Sequence, residues 1–162
     1  MSAAVVTRVS TRPIVLRDKL GCVASETRAT VLEVQRGATQ TTLVNLTPHA
    51  IVLRDADGAD HVVPPSGTVA RVTAHPGALS DIGLPVPVAS RTMYGAVEGL
   101  PVDRVGAWDC RPEVLYIVSA LVGAAVSHQK RDDVVCPGTG PNDGAIRDEA
   151  GRIVAVTRLV RA

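Results

Sequence analysis

The sequence predicts an α+β domain that is mostly β, either a small antiparallel sheet or a barrel-like arrangement of hairpins with one short helix. Valine-rich segments alternate between polar and apolar residues and recur between turn signals, as in short strands. Two Asp- and Gly-containing turns, 55–58 and 148–151, each lie between apolar segments, as in hairpins. Helical spacing of apolar residues occurs clearly in one segment, Ala120–His128.

Composition limits the size and the class of the protein. A chain of 162 residues is expected to form one domain. It is 46% hydrophobic but contains no Phe, so the core must be built from Val, Leu, Ile and Ala. The net charge of +1 and the absence of an arginine cluster argue against general nucleic-acid binding.

The cysteines and the hydropathy pattern predict a cytoplasmic protein. Three widely spaced cysteines, Cys22, Cys110 and Cys136, are typical of a reducing compartment rather than of a disulfide framework. No Cys or His spacing suits a zinc site, and we expect no metal or other cofactor. No run of 18 apolar residues predicts a membrane span, and the first residues do not resemble a secretion signal.

The chain is predicted to divide after residue 41. Residues 1–41 carry a charge of +3 and end in a linker-like Ser/Thr/Gly/Gln segment, which predicts an N-terminal arm, disordered in the extreme case. The alternative is that Ile14–Leu16 and Thr30–Gln35 are strands. Residues 42–162 are predicted to form the compact β-rich domain.

The elements of this domain follow from alternation and from turn residues. In chain order the predicted strands are Thr42–Leu46, Ala50–Arg54, His61–Val63, Thr68–Ala74, Val86–Ser90, Thr92–Val97, Leu115–Ser119, Ala145–Arg147 and Ile153–Val160. Residues 101–113, which include Trp108, have no regular pattern, and 137–144 form a glycine-rich polar loop. The helix follows Leu115–Ser119 directly.

A polar cluster in Asn45-Leu46-Thr47-Pro48-His49 is the first candidate ligand site. Pro48 lacks an N–H and forces Thr47 into an extended conformation, so the strand must break here. Asn45, Thr47 and His49 would offer an amide, a hydroxyl and an imidazole to a phosphate, a ribose or a base edge. The structural alternative is that Asn45 and Thr47 satisfy backbone groups around the break while His49 lies at the surface.

Three further residues complete the predicted site. Ser119 precedes the helix, where it is expected either to cap the helix or to donate to an anion. Arg131 is predicted to bind a phosphate or carboxylate, oriented by Asp133, and the alternative is that this polar run only complements the helix dipole. A catalytic role for Cys136 is not expected, because its acidic neighbours would raise the pKa of the thiol.

The motifs together resemble a family of short proteins from phages, prophages and actinobacteria that carries an Asn-Leu-Thr-Pro-His motif. The resemblance covers Leu43 to about Leu159. The matching positions are Asn45–His49, Ser66-Gly67, Glu98–Pro101, Tyr116–Ser119, Arg131 and Asp133. The resemblance implies a mobile-element context, which favours a small binding protein over a housekeeping enzyme.

Three functions follow as hypotheses. The first is a non-catalytic, homo-oligomeric protein that holds a small anionic, nucleotide-like ligand and sequesters it as a signal. The second is a protein–protein interaction or virion accessory module that uses exposed strand edges. The third is a small hydrolase with His49 as general base, oriented by Asp133 or Asp143.

Overall fold

A computed structural model describes residues 5–17, 23–101, 114–129 and 131–162. It confirms the α+β, mostly β fold class. The strands are β1 (Val5–Arg17), β2 (Val23–Arg36), β3 (Thr39–Asn45), β4 (Ile51–Arg54), β5 (Asp60–Val63), β6 (Ala74–His75), β7 (Leu79–Ser80), β8 (Val88–Ala89), β9 (Met93–Tyr94), β10 (Val114–Ile117), β11 (Val134–Pro137), β12 (Ile146–Arg147), β13 (Ile153–Ala155) and β14 (Leu159–Arg161). Helix α1 spans Ala120–Val126 and continues into a 3₁₀ turn, Ser127–Gln129. None of the helices in the described segments has the length and hydrophobicity needed to cross a membrane.

Six strands form the main sheet in the order β1-β2-β3-β10-β11-β14. The outer pairs are antiparallel, whereas β3, β10 and β11 run parallel to one another. Parallel neighbours require crossover connections, and α1 provides the one between β10 and β11. Turn residues predict only antiparallel hairpins, so the parallel pairing of β3, β10 and β11 could not be predicted from them.

Both faces of the central strands are buried. Consecutive residues of a strand point to opposite faces, and Val44 and Leu43 accordingly belong to different core clusters. One face packs against Val122 and Val126 of α1, and the other packs against Val63 of the β4–β5 hairpin. Burial on both faces explains why β10 and β11 are nearly continuous apolar runs rather than alternating ones.

The N-terminal residues that the structure describes belong to this sheet. The predicted strands Ile14–Leu16 and Thr30–Gln35 lie within β1 and β2, which pair along most of their length. Ala29, Val31 and Leu32 of β2 are core residues. Strand β3 begins at Thr39, so the boundary predicted after residue 41 falls inside a strand. The division into an arm and a domain stays a prediction, and residues 1–4 and 18–22 lie outside the described residues.

The two Asp/Gly hairpin turns are confirmed, and they share one geometry. In the first turn Asp55 Oδ1 accepts from the N–H groups of Asp57 and Ala59, and Gly58 has a φ of 84°. In the second turn Asp148 Oδ1 accepts from the N–H groups of Ala150 and Arg152, and Gly151 has a φ of 78°. Only glycine adopts this conformation without steric cost, which explains why the pattern recurs.

Three predicted strands are largely wrong. Thr68–Ala74 is irregular except for an isolated bridge at Arg71 and its last residue, and Val86–Ser90 and Thr92–Val97 shrink to the two-residue strands β8 and β9. Their partners are the equally short β7 and β6, so residues 73–97 form a long, thin hairpin. We call these residues the β-arm. Alternation alone predicted longer strands because it cannot reveal that the main sheet offers these segments no neighbour.

The helix and its flanking strand differ from prediction only at their ends. The predicted strand Leu115–Ser119 is β10, which ends at Ile117. The predicted helix Ala120–His128 is α1 with its 3₁₀ extension. At Gly123 a Cβ would collide with Cys136 Sγ. A glycine at this position therefore allows α1 to approach β11. Residues 102–113, with Trp108, lie outside the described part of the chain.

A cross-strand ion pair makes the β1–β2 hairpin sensitive to acid. Glu33 lies 2.7 Å from Arg12 and 3.3 Å from Arg8, and these contacts, the hydrogen bond from Arg12 above all, lower the pKa of Glu33 below its usual 4.5. A lowered pKa contributes stability above pH 4.5 that is lost as pH falls through the folded-state value.

We therefore expect wild-type stability to fall more steeply between pH 6 and pH 3 than that of Glu33→Gln, which carries no titrating carboxyl at this position. Urea unfolding at the two pH values measures the difference. Gln35→Ser, an exposed change on the same strand, is the control and should follow the wild type. Equal pH dependence of Glu33→Gln and wild type would contradict the assignment.

Candidate functional site

The parallel strands place part of the predicted site at one edge of the sheet. Asn45 pairs in register with Ile117, and Ile117 with Val135, so the carboxyl ends of β3, β10 and β11 meet. We call this the carboxyl edge, and it is formed by residues 45–49, 118–120 and 137–140. Ligands of parallel sheets bind outside the carboxyl ends of the strands. Arg131 and Asp133 precede β11 and therefore lie toward the opposite edge.

Asn45 builds the loop that follows β3. It is fully buried, and its Nδ2 donates to the carbonyl oxygens of His49 and Val63 at 2.7 and 3.2 Å. Its Oδ1 accepts from the N–H and the hydroxyl of Thr47 at 3.0 and 2.7 Å. Since both donors and the acceptor are used within the protein, this geometry favours the structural alternative for Asn45.

Thr47 and His49 differ in their availability to a ligand. The Thr47 hydroxyl is half-buried, with Asn45 Oδ1 and, at 3.1 Å, the carbonyl oxygen of His49 as acceptors. His49 is exposed, and its ring makes no hydrogen bond to any residue that the structure describes. Neither Asp133 nor Asp143 contacts that ring, because their carboxylates accept from Arg131 and from the Gly140 N–H. The orientation that the hydrolase hypothesis requires is therefore not formed by these two groups.

Ser119 caps α1, which confirms the structural alternative. Its Oγ accepts from the N–H of Val122 at 3.3 Å, and its backbone is extended. The side chain is exposed at the carboxyl edge, so its hydroxyl hydrogen can still be donated to a ligand. The Cys136 thiol donates to the Ser119 carbonyl oxygen at 3.6 Å. Burial raises the pKa of Cys136 and so disfavours the reactive thiolate, a different cause from the acidic neighbours that the sequence suggested.

Arg131 and Asp133 form an internal ion pair. Arg131 Nε and Nη2 donate to the two carboxylate oxygens of Asp133 at 2.9 and 2.7 Å, and Nη1 donates to the carbonyl oxygen of Pro101 at 2.8 Å. The Arg131 side chain is only 5% exposed. This bidentate geometry is the one that the sequence suggested for a ligand, but here Asp133 itself occupies the guanidinium. Their arrangement favours a structural role.

The glycine-rich loop is tied to the rest of the domain. The N–H of Gly138 donates to the carbonyl oxygen of Arg158 at 3.0 Å, and the N–H of Gly140 donates to Asp143 Oδ2 at 2.8 Å. The hydroxyl of Thr157 is within hydrogen-bond distance of the carbonyl oxygens of Asp143 and Gly144. These backbone amides are therefore engaged internally rather than directed at a ligand.

A second, concave site lies beside the β4–β5 hairpin. This cleft has a volume of about 220 Å³, and its lining is mostly apolar. The lining residues are Val5, Leu53, Arg54, Asp55, His61, Val156, Thr157, Arg158 and Leu159. Typical pockets for drug-sized ligands have volumes of about 300–1,000 Å³, so this cleft suits a small molecule or the charged end of a larger one.

His61 is held in the cleft by Asp55. The distance between His61 Nε2 and Asp55 Oδ2 is 2.9 Å, and the His61 side chain is 16% exposed. The hydrogen bond from His61, followed by that from the N–H of Ala59, lowers the pKa of Asp55, so Asp55 accepts as a carboxylate at neutral pH. A carboxylate on Nε2 fixes the imidazole and leaves its Nδ1 for another partner.

Arg158 carries the uncompensated charge of the cleft. Arg54 is paired with Asp60 through contacts of 2.6 and 2.8 Å, and His61 is paired with Asp55. Arg158 is exposed, and its guanidinium makes no hydrogen bond or ion pair within the described ranges. The cleft is therefore lined by one exposed arginine without a described partner and by one anchored imidazole.

The sequence pattern does not indicate His61 or Arg158 as a site residue. It predicts only that each of them lies in a strand, and Arg158 is 97 positions further along the chain. The available signal was the Asp-x₅-His spacing across a two-strand hairpin, which places Asp55 and His61 side by side once the turn is recognised. No local pattern indicates Arg158, because the contact between Leu53 and Val156 that brings its segment to β4 is long-range.

The described residues contain no group of three or more His, Cys, Asp or Glu side chains arranged to hold a metal ion. Comparison with protein-family models, with curated proteins and with solved structures finds no match to this chain. The function is therefore argued from the geometry of the carboxyl edge and of the cleft.

Proposed function

We propose that this protein binds a small anionic molecule without converting it, and that the anion lies in the cleft between Arg158 and His61. The observation that carries the proposal is that Arg158, an exposed arginine without a described partner, lines the same cleft as a histidine already oriented by a carboxylate. A guanidinium binds carboxylates and phosphates through two parallel hydrogen bonds, and a half-enclosed site strengthens them.

The lining of the cleft defines the ligand further. Leu53, Val156 and Leu159 are apolar lining residues, which suit a short carbon skeleton or a sugar face. The volume is too small for a whole nucleotide, so a nucleotide-like ligand would insert its phosphate and leave its base outside. The resemblance to phage and prophage proteins supports sequestration of such a signal as the biological role.

The orientation of His61 defines the part that it would play in the proposed binding. Because Asp55 accepts from Nε2, Nδ1 is the ring nitrogen left for a hydrogen bond to the ligand. His61→Gln should therefore weaken anion binding.

The carboxyl edge is the second proposed contact surface for the ligand. There His49 and Ser119 are the exposed side chains of the predicted set, and Thr47 is half-buried behind them. Asn45 shapes the loop, and the Arg131–Asp133 pair supports the sheet from the opposite edge. A ligand that depends on His49 rather than on Arg158 would move the proposal back to this edge.

Mass spectrometry of small molecules released from the denatured protein tests the proposal. Arg158→Ala should bind the anion about 10- to 100-fold more weakly, because a charge-assisted hydrogen bond contributes about 1.5–3 kcal/mol. Arg152→Ala is the matched control, since Arg152 is 81% exposed and pairs only locally with Asp148. The expected result is a stoichiometric anion from wild type and Arg152→Ala, and much less from Arg158→Ala.

The same experiment separates the competing functions. Equal retention by Arg158→Ala and wild type would refute the site. An empty wild-type protein, also after incubation with inorganic phosphate or a nucleotide extract, would refute the function. Recovery of the added compound in altered form would favour the hydrolase alternative, with the Asp55–His61 pair as its general base rather than His49.

A further inference from the structure

The β-arm extends from the domain without joining the main sheet. At its base Arg71 and Glu98 exchange both backbone hydrogen bonds, at 2.9 and 2.8 Å. Beyond them β6 pairs with β9 and β7 pairs with β8, and neither pair adds to the six-stranded sheet. The arm is thus a two-stranded hairpin inserted between β5 and β10.

Large apolar side chains cover this arm, and they face solvent. Seven of them are between 38% and 71% exposed. They are Leu79, Ile82, Leu84, Val86, Val88, Met93 and Tyr94. By contrast, Leu43 and Val44 of β3 and Val134 and Val135 of β11 are no more than 5% exposed. The arm therefore concentrates apolar surface on an element that has no core of its own.

We propose that the β-arm is a dimerisation surface and that its occupant is the β-arm of a second copy of this chain. The seven residues together expose surface on the order of 700 Å², close to the roughly 800 Å² that each partner buries in a standard protein interface. Exposed apolar surface of this extent is typical of interaction sites. An isolated two-stranded hairpin is only marginally stable in water, so pairing of two arms also stabilises the arm itself.

The charge of the arm favours a second copy over other partners. Between residues 74 and 97 the only charged side chains are Asp81 and Arg91, apart from His75. Such a surface has no basic residues for nucleic acid or for anionic lipid headgroups beyond one arginine. Two identical, nearly neutral apolar faces related by a two-fold axis are complementary without any charge matching. Each arm also has an unpaired strand edge that can hydrogen-bond to its equivalent.

Sedimentation velocity of the full chain over a range of concentrations tests this proposal. Wild type should be a dimer at micromolar concentration, and Leu79→Ser/Met93→Ser should raise the dimer dissociation constant at least about 100-fold, because four apolar contacts are lost per dimer. Leu121→Ser removes a side chain of 46% exposure from α1 and should leave the dimer intact. A wild type that is monomeric throughout, or a double variant that dimerises normally, overturns the proposal.

An arm-less variant gives an independent test. Ala74 and Tyr94 lie directly opposite each other, so residues 75–93 can be replaced by Asn-Gly, which forms a two-residue hairpin turn. This variant should keep the circular dichroism signal of the domain and be monomeric. Mixed with tagged wild type it should not be captured, whereas a mixed dimer would show that the arm docks on the body of its partner and would contradict arm-to-arm pairing.

Vesicle binding tests the remaining alternative, in which the β-arm contacts a lipid surface instead of a second copy of this chain. Wild type should not sediment with phosphatidylcholine vesicles, because its arms are covered in the dimer. Vesicle binding by a protein that remains monomeric would assign the arm to a lipid surface and refute the dimer.

Discussion

Replacing Asn45 by Ala is expected to destabilise the protein by about 3 kcal/mol, a large part of the roughly 5–15 kcal/mol available to a domain of this size. Asn45 is fully buried and makes four hydrogen bonds around the loop that ends at His49. Alanine leaves the Val63 carbonyl oxygen without its side-chain donor inside the core. Each buried group left unsatisfied in this way costs about 1–3 kcal/mol.

Urea unfolding measures this loss. Asn142→Ala, an exposed asparagine in the glycine-rich loop, is the matched control and should change stability by less than about 0.5 kcal/mol. Asn45→Asp should also be strongly destabilised, because it places a carboxylate oxygen against two carbonyl oxygens. If Asn45→Ala were as stable as Asn142→Ala, the loop would not depend on this side chain.

Replacing Arg131 by Met is expected to have an even larger effect, about 3–5 kcal/mol. The guanidinium is buried and binds both oxygens of Asp133 as well as the carbonyl oxygen of Pro101. Removing it leaves a carboxylate of low exposure without its partner, which is the costly way to break a buried ion pair. The double change Arg131→Met/Asp133→Leu should recover much of the loss, since no charge then remains uncompensated.

A neighbouring ion pair is the control for Arg131. Arg161 lies 3.0 Å from Asp132, but these side chains are 60% and 84% exposed. Arg161→Ala should therefore cost no more than about 1 kcal/mol in thermal or urea unfolding. An Arg131→Met protein as stable as Arg161→Ala would contradict the structural role and return Arg131 to the list of ligand contacts. Unchanged anion binding by the folded double variant would support the structural role.

Local chemistry made parts of the fold predictable. The hairpin turns at Asp55 and Asp148 were predictable because an aspartate accepts from the amides two and four residues ahead and a glycine completes the turn. The cap at Ser119 follows from the same kind of short-range hydrogen bonding. These interactions span fewer than five residues, so the sequence pattern contains all of their partners.

Long-range pairing could not be predicted from such patterns. The parallel alignment of β3 with β10 joins residues more than 70 positions apart, and no turn signal encodes it. The predicted strands in the β-arm failed for the same reason, since alternation indicates an extended backbone but not a neighbour.

The candidate site was predictable only in part. Asn45, Thr47, His49 and Ser119 do share the carboxyl edge, but the side chain of Asn45 is used internally. The sequence pattern could not separate Arg131 from Arg158, because only the fold shows that one is buried against Asp133 and the other is exposed in the cleft. A sequence shows which residues are charged, but only the packed structure shows which of them are paired with an opposite charge.

Titration of the protein with inorganic phosphate, followed by NMR, tests the central claim most directly. The Nε–H signal of Arg158 and the ring signals of His61 should shift together and saturate, while those of His49 and of Arg152 stay in place. Saturable shifts at His49 and Ser119 with an unchanged Arg158, or no saturable shift at any of these residues with phosphate or a small carboxylate, would contradict anion binding in the cleft.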